Sequence, residues 1–448
     1  MTAARKVLIV SPRFPPTNAA DLHRVRTSLA HYRSFGWEPS VLAVDPATSD
    51  CIDDPALAEA LPNDIPVVRV TAWSEKRCRR FGFGQLAYRS LLPLYRAGCD
   101  LLRSGGYDVV LFSTTAFLCF AIGPLWQRRY GCAIVYDFHD LWYRGPLPRA
   151  DVPGNPIKYR ADQWLAKRLE SFSLRAASHV FAVSEFYVAT LSRRYPWLEP
   201  DRFTVLPFGA EPGDYAFVRG RGIRQGVFAA DRGIRRWVCA GAIAPAMLPV
   251  VAALCRGVAR WRDADPGPAA ALRLTFVGTD YAGPQRSFKR VEPTAREYGV
   301  ADLVEEFPDR IPYFEALAFN LASDAVLLIG SAEADYTASK LLTVALSKKP
   351  ILALFHRNSL VSRIAAQLPN IFLATFDESP AEPGFQARIA EGIEWLMAGR
   401  FDGSAVEAGC EPWSAAEMTR RQCLVFDRIG PAAVRQRPAA RASSTAAP

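Results

Sequence analysis

The sequence lacks the short signatures that settle a chemistry at once. Its nine cysteines (Cys51, Cys78, Cys99, Cys119, Cys132, Cys239, Cys255, Cys410 and Cys423) are scattered and never form a C-x-x-C pair. That spacing predicts reduced thiols in a cytosolic protein and no structural metal. No G-x-G-x-x-G follows the first apolar run, where Val10 leads into Ser11 and Pro12, so dinucleotide oxidoreduction is disfavoured. There is neither a concentrated basic face nor a recognisable nucleic-acid module. The formal charge of +9, from 54 Lys and Arg against 45 Asp and Glu, is a modest excess that suits a basic patch for anionic lipid or a nucleotide phosphate. Near the N-terminus only residues 7–10 are apolar before Ser11 and Pro12, so no signal peptide is expected and the first strand starts early. Residues 109–126 are long enough for a membrane span, but Ser113, Thr114, Thr115, Gly123 and Pro124 interrupt them. They predict a strand, a turn and a buried helix instead.

What is present is apolar material in regular alternation. Half of the 448 residues are hydrophobic, too many for one core and suited to two domains of roughly 200 residues each. In the first half, strands are predicted at residues 7–10, 39–44, 67–70, 108–112, 133–136, 179–182 and 203–206. Helices are predicted between them at 21–35, 83–102, 117–130, 159–177 and 185–195. Residues 211–232 are rich in Gly and Arg with little apolar periodicity, which predicts a linker or long surface loop. A second series of strands follows at 237–240, 272–277, 303–306, 325–329, 351–355 and 371–373. This alternation predicts an α/β chain of two mainly parallel, doubly wound domains. Ligands in such sheets bind outside the carboxyl ends of the strands, so two such domains facing each other would enclose a cleft. The Pro/Ala/Ser/Arg-rich residues 431–448 predict a disordered tail.

The run 334–355, ADYTASKLLTVALSKKPILALF, sets a polar loop, an amphipathic helix and a buried strand in succession. The loop carries Asp335, Tyr336 and Thr337. Ser339 and Lys340 then precede an apolar face of Leu341, Leu342, Ala345 and Leu346, which predicts a helix of about two turns ended by Pro350. Unpaired N–H groups and the positive end of the dipole at its start favour a phosphate beside Ser339 and Lys340. The same residues also fit a plain N-cap at Ser339 or Thr337 and a solvated Lys340.

In the first half, Asp137, His139 and Asp140 leave the strand 133–136 together. Alternation puts Asp137 and His139 on one face, with Asp140 in the loop. Burying three ionisable groups unpaired is costly, and a histidine there can hydrogen-bond a sugar hydroxyl or shuttle a proton. The alternative is a histidine that ties a loop and an aspartate that caps a helix near Leu141. Thr114 and Thr115 can line an acceptor site or serve as N-caps. Residues 76–96 interleave cations with Phe81, Phe83, Tyr88, Leu91, Leu92 and Tyr95. They suit a surface resting on anionic lipid, or equally a core-facing helix with Arg on its wet side.

Several segments, in order, resemble a GT-B glycosyltransferase of the large retaining family that builds bacterial cell-surface polysaccharides and glycolipids from nucleotide-sugars, the family 4-like, group 1 enzymes. They are KVLIVSPRFPPTNAADLHRVRTSLAHYRSFGWEPSVL (6–42), AIVYDFHDLW (133–142), VFAVSEFYVATLSRRYP (180–196), FTVLPFGAE (203–211) and the run 274–354. The resemblance implies an acceptor-binding Rossmann-like domain at 1–212 and a nucleotide-sugar-binding one at 213–408. It also implies a helix at 409–430 that returns to the first domain. In the implied reaction His139, Asp140 and Asp137 are catalytic. Lys340, Ser339, Asp335, Thr343, Arg310, Ile311, Asn18 and Gly278 meet the donor, and Thr114, Thr115 and Arg24 meet the acceptor. No metal and no cofactor beyond the nucleotide-sugar substrate is implied. The acceptor would be a glycan or lipid-linked glycan, on a cytoplasmic protein that rests peripherally on the inner face of an anionic membrane and does not bind nucleic acid.

The departures from that pattern are specific. Asn18-Ala19-Ala20 stands where relatives often carry Gly-Gly, and Ala240-Gly241-Ala242-Ile243-Ala244-Pro245 lacks the Gly-Arg and Lys found after the strand. Of two glutamates eight positions apart, the first place is Asp335 and the second is Thr343, a hydroxyl without charge. A subgroup with S/P-x-K at the helix start is nearer, and there Lys340 would supply phosphate charge. Arg286, Lys289 and Arg290 form a cationic cluster that can equally be a solvated face. Arg310-Ile311-Pro312 resembles a base-reading turn or is an ordinary proline turn. Two other readings remain: a GT-B nucleotide-sugar epimerase, and a non-catalytic or regulatory sugar-nucleotide-binding protein.

Overall fold

Thirteen apolar runs become thirteen parallel strands among the described residues, which in this computed structural model are 5–145, 155–229, 231, 233–280, 286–333, 339–399 and 401–430. The first sheet holds β1 (Arg5–Val10), β2 (Trp37–Val44), β3 (Val67–Val70), β4 (Val109–Ser113), β5 (Ala133–Phe138), β6 (Ala177–Ala182) and β7 (Phe203–Val205). Their order is β3-β2-β1-β4-β5-β6-β7. The second holds β8 (Arg235–Ala240), β9 (Leu272–Val277), β10 (Val304–Phe307), β11 (Ala325–Ile329), β12 (Ile351–His356) and β13 (Ile371–Phe376), in the order β10-β9-β8-β11-β12-β13. These are two doubly wound Rossmann-like sheets. Central strands such as β4 and β11 are buried at every residue, which is why they read as continuous apolar runs. In each sheet the order reverses once, between β1 and β4 and between β8 and β11, and ligands in such sheets bind beyond the carboxyl ends at that point.

By contacts the chain divides into two units. One takes Met1–Asp53, Leu61–Leu206 and Met418–Pro448, the other Asp54–Ala60 and Pro207–Glu417. The short segment from Asp54 to Ala60 thus leaves the half of the sequence around it. Its Leu57 is fully buried, and the Asp54 carboxylate accepts a hydrogen bond of 2.9 Å from the Tyr313 N–H at the start of the helix Tyr313–Ala322. Glu59 pairs with Arg221 at 2.8 Å.

Three local expectations are corrected. The first helix is interrupted: a 3-10 turn (Ala20–Leu22), a short α-helix (His23–Ser28) and a second 3-10 turn (Tyr32–Phe35) replace one helix over 21–35. The expected loop 211–232 contains the helix Gly213–Arg221, which buries Tyr215 and Val218 and ends at Gly222. Its apolar face packs on the helix Tyr313–Ala322, with Phe217 and Phe314 ring centroids 4.5 Å apart, so distant partners rather than local pattern stabilise it. After Lys340 the helix is only Leu341–Ala345, shorter than two turns. No helix among the described residues is long and apolar enough to cross a membrane. The predicted disordered tail, 431–448, lies outside the described residues.

Candidate active site

At the reversal point of the second sheet, four loops meet beyond the strand ends. The Gly241 N–H bonds to Val277 O at 2.8 Å, Gly278 N–H to Phe307 O at 2.8 Å, Ile243 N–H to Thr279 O at 2.9 Å and Ala332 N–H to Ala246 O at 3.0 Å. These bonds lace the ends of β8, β9, β10 and β11 together. Lys340 comes into this corner from the loop after β11. Although the residue as a whole is exposed, its ammonium reaches the turn after β8 and lies 3.4 Å from Ala240 O. Gly241, with φ +131°, makes this possible, because a Cβ there would stand 1.5 Å from the Lys340 Nζ. Loss of hydration lowers the Lys340 pKa, and the positive charge of Arg310 lowers it further against the opposing influence of Cys239. No carboxylate is paired with Lys340 among the described residues. The Lys340 ammonium thus reaches a strand-end corner under the positive charge of Arg310 and with no acid paired to it among the described residues, an arrangement that favours an anion.

Ile311 is at the same corner. A Cβ on Gly278, whose φ is +66°, would touch Ile311 Cγ1 at 3.5 Å. Lys340, Arg310, Ile311 and Gly278 are thus brought together by β8 to β11. Ser339 is exposed and does not cap the short helix, whose N-cap is Lys340 itself, and Thr343 is half-buried within that helix. Ser339 is thus not the N-cap, and the Lys340 ammonium rests near Ala240 O although the residue is exposed. Asp335, with Tyr336 and Thr337, lies outside the described residues. Two of the three cations before the helix Val291–Glu297 are paired: Lys289 with Glu292 at 2.5 Å and Arg290 with Asp280 at 3.4 Å. The start of that helix is closed by buried Glu306, which accepts from the N–H groups of Arg290, Val291 and Glu292 at 3.0, 2.8 and 2.9 Å. Gly241→Ala is expected to displace the Lys340 ammonium without removing its charge. Calorimetry with a nucleoside diphosphate, at a temperature where both proteins are folded, should then show weaker binding by about tenfold or more, while the strained φ costs the variant about 1–3 kcal/mol of stability. Unchanged affinity would mean that Lys340 does not act from this position.

In the first sheet the corresponding point lies between β1 and β4. Asp21, from the loop after β1, accepts through one oxygen from Thr114 Oγ1 at 2.9 Å, Thr115 N at 2.8 Å and Thr115 Oγ1 at 3.0 Å. Arg13 approaches the same oxygen at 3.6 Å and binds Asp50 in a two-pronged pair at 3.1 and 2.9 Å. Thr114 and Thr115 therefore clasp two loops, and neither starts an α-helix. Asn18, buried in the same loop, donates its N–H to Ile52 O at 2.7 Å.

Asp137, at the end of β5, is fully buried. One carboxylate oxygen meets Arg24 Nε, His139 Nε2 and Ser113 Oγ, each at 2.8 Å, and Ser113 Oγ is 3.1 Å from His139 Nε2. Burial pushes the Asp137 carboxyl up, but Arg24, His139 and Ser113 outweigh it and hold the group below the usual carboxylate range. Arg24 was expected at the acceptor. Its guanidinium is instead inside the unit, 4 % exposed, paired with Asp137 and donating to Leu206 O at 2.6 Å, because the short helix His23–Ser28 turns it toward the sheet. Asp140 accepts from the Leu141 N–H at 2.8 Å and pairs with Arg144, holding a loop and not a helix start. Sequence reasoning missed Asp21, Ser113 and Glu170. Glu170 is buried in the helix Pro156–Leu174 and accepts from Tyr143 N, Arg194 and Tyr195 at 3.0, 2.6 and 2.8 Å, anchoring the loop that follows His139.

Residues 23–209 match the family described as the glycosyl transferase 4-like domain. The match spans less than half of the chain and shows that this segment is similar to that domain. The match covers β2 to β7 and includes Asp137 to Asp140. No curated protein matches the chain. Among solved structures, a glycosyltransferase from Rickettsia africae is 12 % identical with a TM-score of 0.58, covering 95 % of this chain and 99 % of its own. The Anabaena protein Alr3699/HepE, in complex with UDP and glucose, is 15 % identical with a TM-score of 0.59, covering 94 % and 99 %. The N-terminal domain of Candida albicans trehalose-6-phosphate phosphatase reaches 0.59 at 12 % identity, covering 95 % and 97 %. These likenesses show the fold alone: two Rossmann-like sheets of the GT-B kind, one mostly within the segment 23–209 that matches the family and one built on β8 to β13.

Proposed function

We propose that the chain is a retaining glycosyltransferase that takes a sugar from a nucleoside-diphosphate sugar. The second unit holds the donor, and the first unit, which carries the transferase-like domain, holds the acceptor. The observation that carries this reading is the Lys340 ammonium lodged over Gly241 at the β8/β11 reversal, with Arg310 beside it. Departure of the nucleoside diphosphate develops negative charge, and fixed cations there stabilise it without rearranging during the step. The Anabaena structure with UDP-glucose, similar in fold, supports a uridine nucleotide as the first donor to try. Gly278 and the Arg310-Ile311 turn would receive the nucleoside beside the diphosphate.

On the acceptor side, Asp137 is a positioning residue: with Ser113 it holds His139, which would meet a sugar hydroxyl beyond the end of β5. The acceptor is a growing polysaccharide or a glycolipid on the inner face of a bacterial membrane, the sugar is a hexose, and the cations do the work without an obligatory metal. To test this, a panel of nucleotides and nucleotide-sugars is titrated by calorimetry, and each binder is followed by NMR for slow hydrolysis without an acceptor. A nucleoside-diphosphate sugar is expected to bind and to release its sugar with the anomeric configuration kept. Absence of nucleotide binding at about millimolar ligand contradicts the reading. Binding without hydrolysis or transfer to membrane extracts favours a non-catalytic sugar-nucleotide-binding protein. Conversion of the sugar at its second carbon favours an epimerase.

A further inference from the structure

One face of the first unit exposes aromatic rings among cations. Trp73, Phe81 and Phe83 are 52 %, 77 % and 53 % exposed, at the two ends of the short helix Glu75–Arg79. Between them Lys76, Arg77, Arg79 and Arg80 are all exposed, and the single acid, Glu75, pairs with Arg79 at 3.3 Å. Such a segment would be expected to fold back and hide its rings, yet both of its ends are stapled by one buried guanidinium. Arg89, 2 % exposed, donates to Trp73 O at 2.8 Å, Gly84 O at 3.0 Å and Thr48 O at 3.0 Å. The segment is therefore held rigidly outward.

The surface continues onto the helix Pro156–Leu174. Phe83 packs on Tyr88, in the helix Leu86–Gly105, with ring centroids 5.3 Å apart, and that helix and Pro156–Leu174 both pack against the 3-10 segment Phe117–Ile122. The helix Pro156–Leu174 exposes Ile157 at 81 % and Trp164 at 62 %, and Arg160, Lys167 and Arg168 are exposed on it. The Arg168 guanidinium lies 5.3 Å from the Trp164 ring centroid. Large rings on a cationic face match the two attractions of a bilayer surface, which are insertion at the headgroup boundary and the field of anionic lipid. A protein partner would bring carboxylates for the cations but no apolar layer of matching extent.

We propose that this face docks the first unit on an anionic lipid bilayer, through the rings of residues 73–83 and of the neighbouring helix with their interleaved cations. The proposal deepens the acceptor side of the reading above, but lipid binding is measured without donor or acceptor, so either can fail alone. The full chain is sedimented with vesicles of phosphatidylcholine alone or with about one third phosphatidylglycerol. Binding is expected only to the anionic vesicles and should weaken about tenfold or more in about 0.5 M salt. Replacing Lys76, Arg77 and Arg80 by Glu should lower partitioning about a hundredfold, since each cation near such a surface contributes about a factor of five. Phe81→Ser with Phe83→Ser should lower it about tenfold. Circular dichroism and the urea-unfolding midpoint should stay unchanged in both variants, which shows that the first unit folds, and nucleotide affinity should stay unchanged as well. Equal binding to neutral vesicles, no binding at low salt, or binding that survives both variants overturns the proposal. So does a wild-type dimer in sedimentation that the Phe81 and Phe83 changes dissociate, because the face would then join two copies of the chain.

Discussion

Asp137→Ala is expected to destabilise the first unit by about 3–5 kcal/mol, the range for removing one partner of a buried ion pair. The carboxylate is completely buried and accepts from Arg24, His139 and Ser113 at once, so its loss strands a buried guanidinium as well as two polar groups. Arg24 is itself buried and donates to Leu206 O inside the unit, so water does not take the place of the lost carboxylate. Urea unfolding of the variant and the wild type measures the difference. A loss below about 1 kcal/mol would show that the pair contributes no more than a surface pair does. An apolar double replacement, Arg24→Met with Asp137→Leu, should cost less than the single change because no charge is left unpaired. The pair also sets a pH dependence. Because the folded-state carboxyl is held below its ordinary value of 3.8, its stabilisation is fully present above that value and is lost as pH falls through the depressed value.

Lys340→Ala is expected to lower kcat/KM for the nucleotide-sugar about a hundredfold or more, the effect of removing one preorganised donor from a site of developing charge. The loss should fall mainly on kcat, since the diphosphate gains charge as the sugar departs. Nucleoside affinity should be nearly unchanged, while diphosphate affinity falls. Equal losses for nucleoside and diphosphate would make Lys340 a structural residue. Because hydration loss and Arg310 lower the lysine pKa, diphosphate binding to the free protein should begin to fail at a pH below the ordinary lysine value of 10.5. A bound anion opposes that shift. Lys340→Arg is a separate test of shape, since a planar guanidinium does not fit the space above Gly241 as a slim ammonium does.

The central strands were legible because they are short apolar runs buried in a parallel sheet, and residues 325–329 become β11 without a change of boundary. The corner beyond β8 to β11 was legible in part. The phosphate role of Lys340 was argued from the start of a helix, yet that helix has only five residues. What positions the ammonium is a glycine a hundred residues earlier, and Gly241 in the sequence reads only as part of an apolar loop. Asp54 shows the same limit more strongly. Nothing local to residues 54–60 tells that they belong with the helix beginning at Tyr313. Arg24 was placed at the acceptor by resemblance alone, and only the position of Asp137 on β5 shows that it points inward. Thr114 and Thr115 were read by composition as site or cap, whereas their partner Asp21 comes from a loop more than ninety residues away. Pairings across strand ends are set by sheet order, which a single sequence carries only through its distant contacts.

Parallel calorimetric titrations of the wild type and Lys340→Ala with UDP and with uridine test the central claim most directly. The account predicts that the wild type binds UDP more tightly than uridine and that the substitution removes most of that difference while leaving uridine binding in place. Wild-type protein that binds UDP no better than uridine, or a variant that keeps the full preference for UDP, would contradict it.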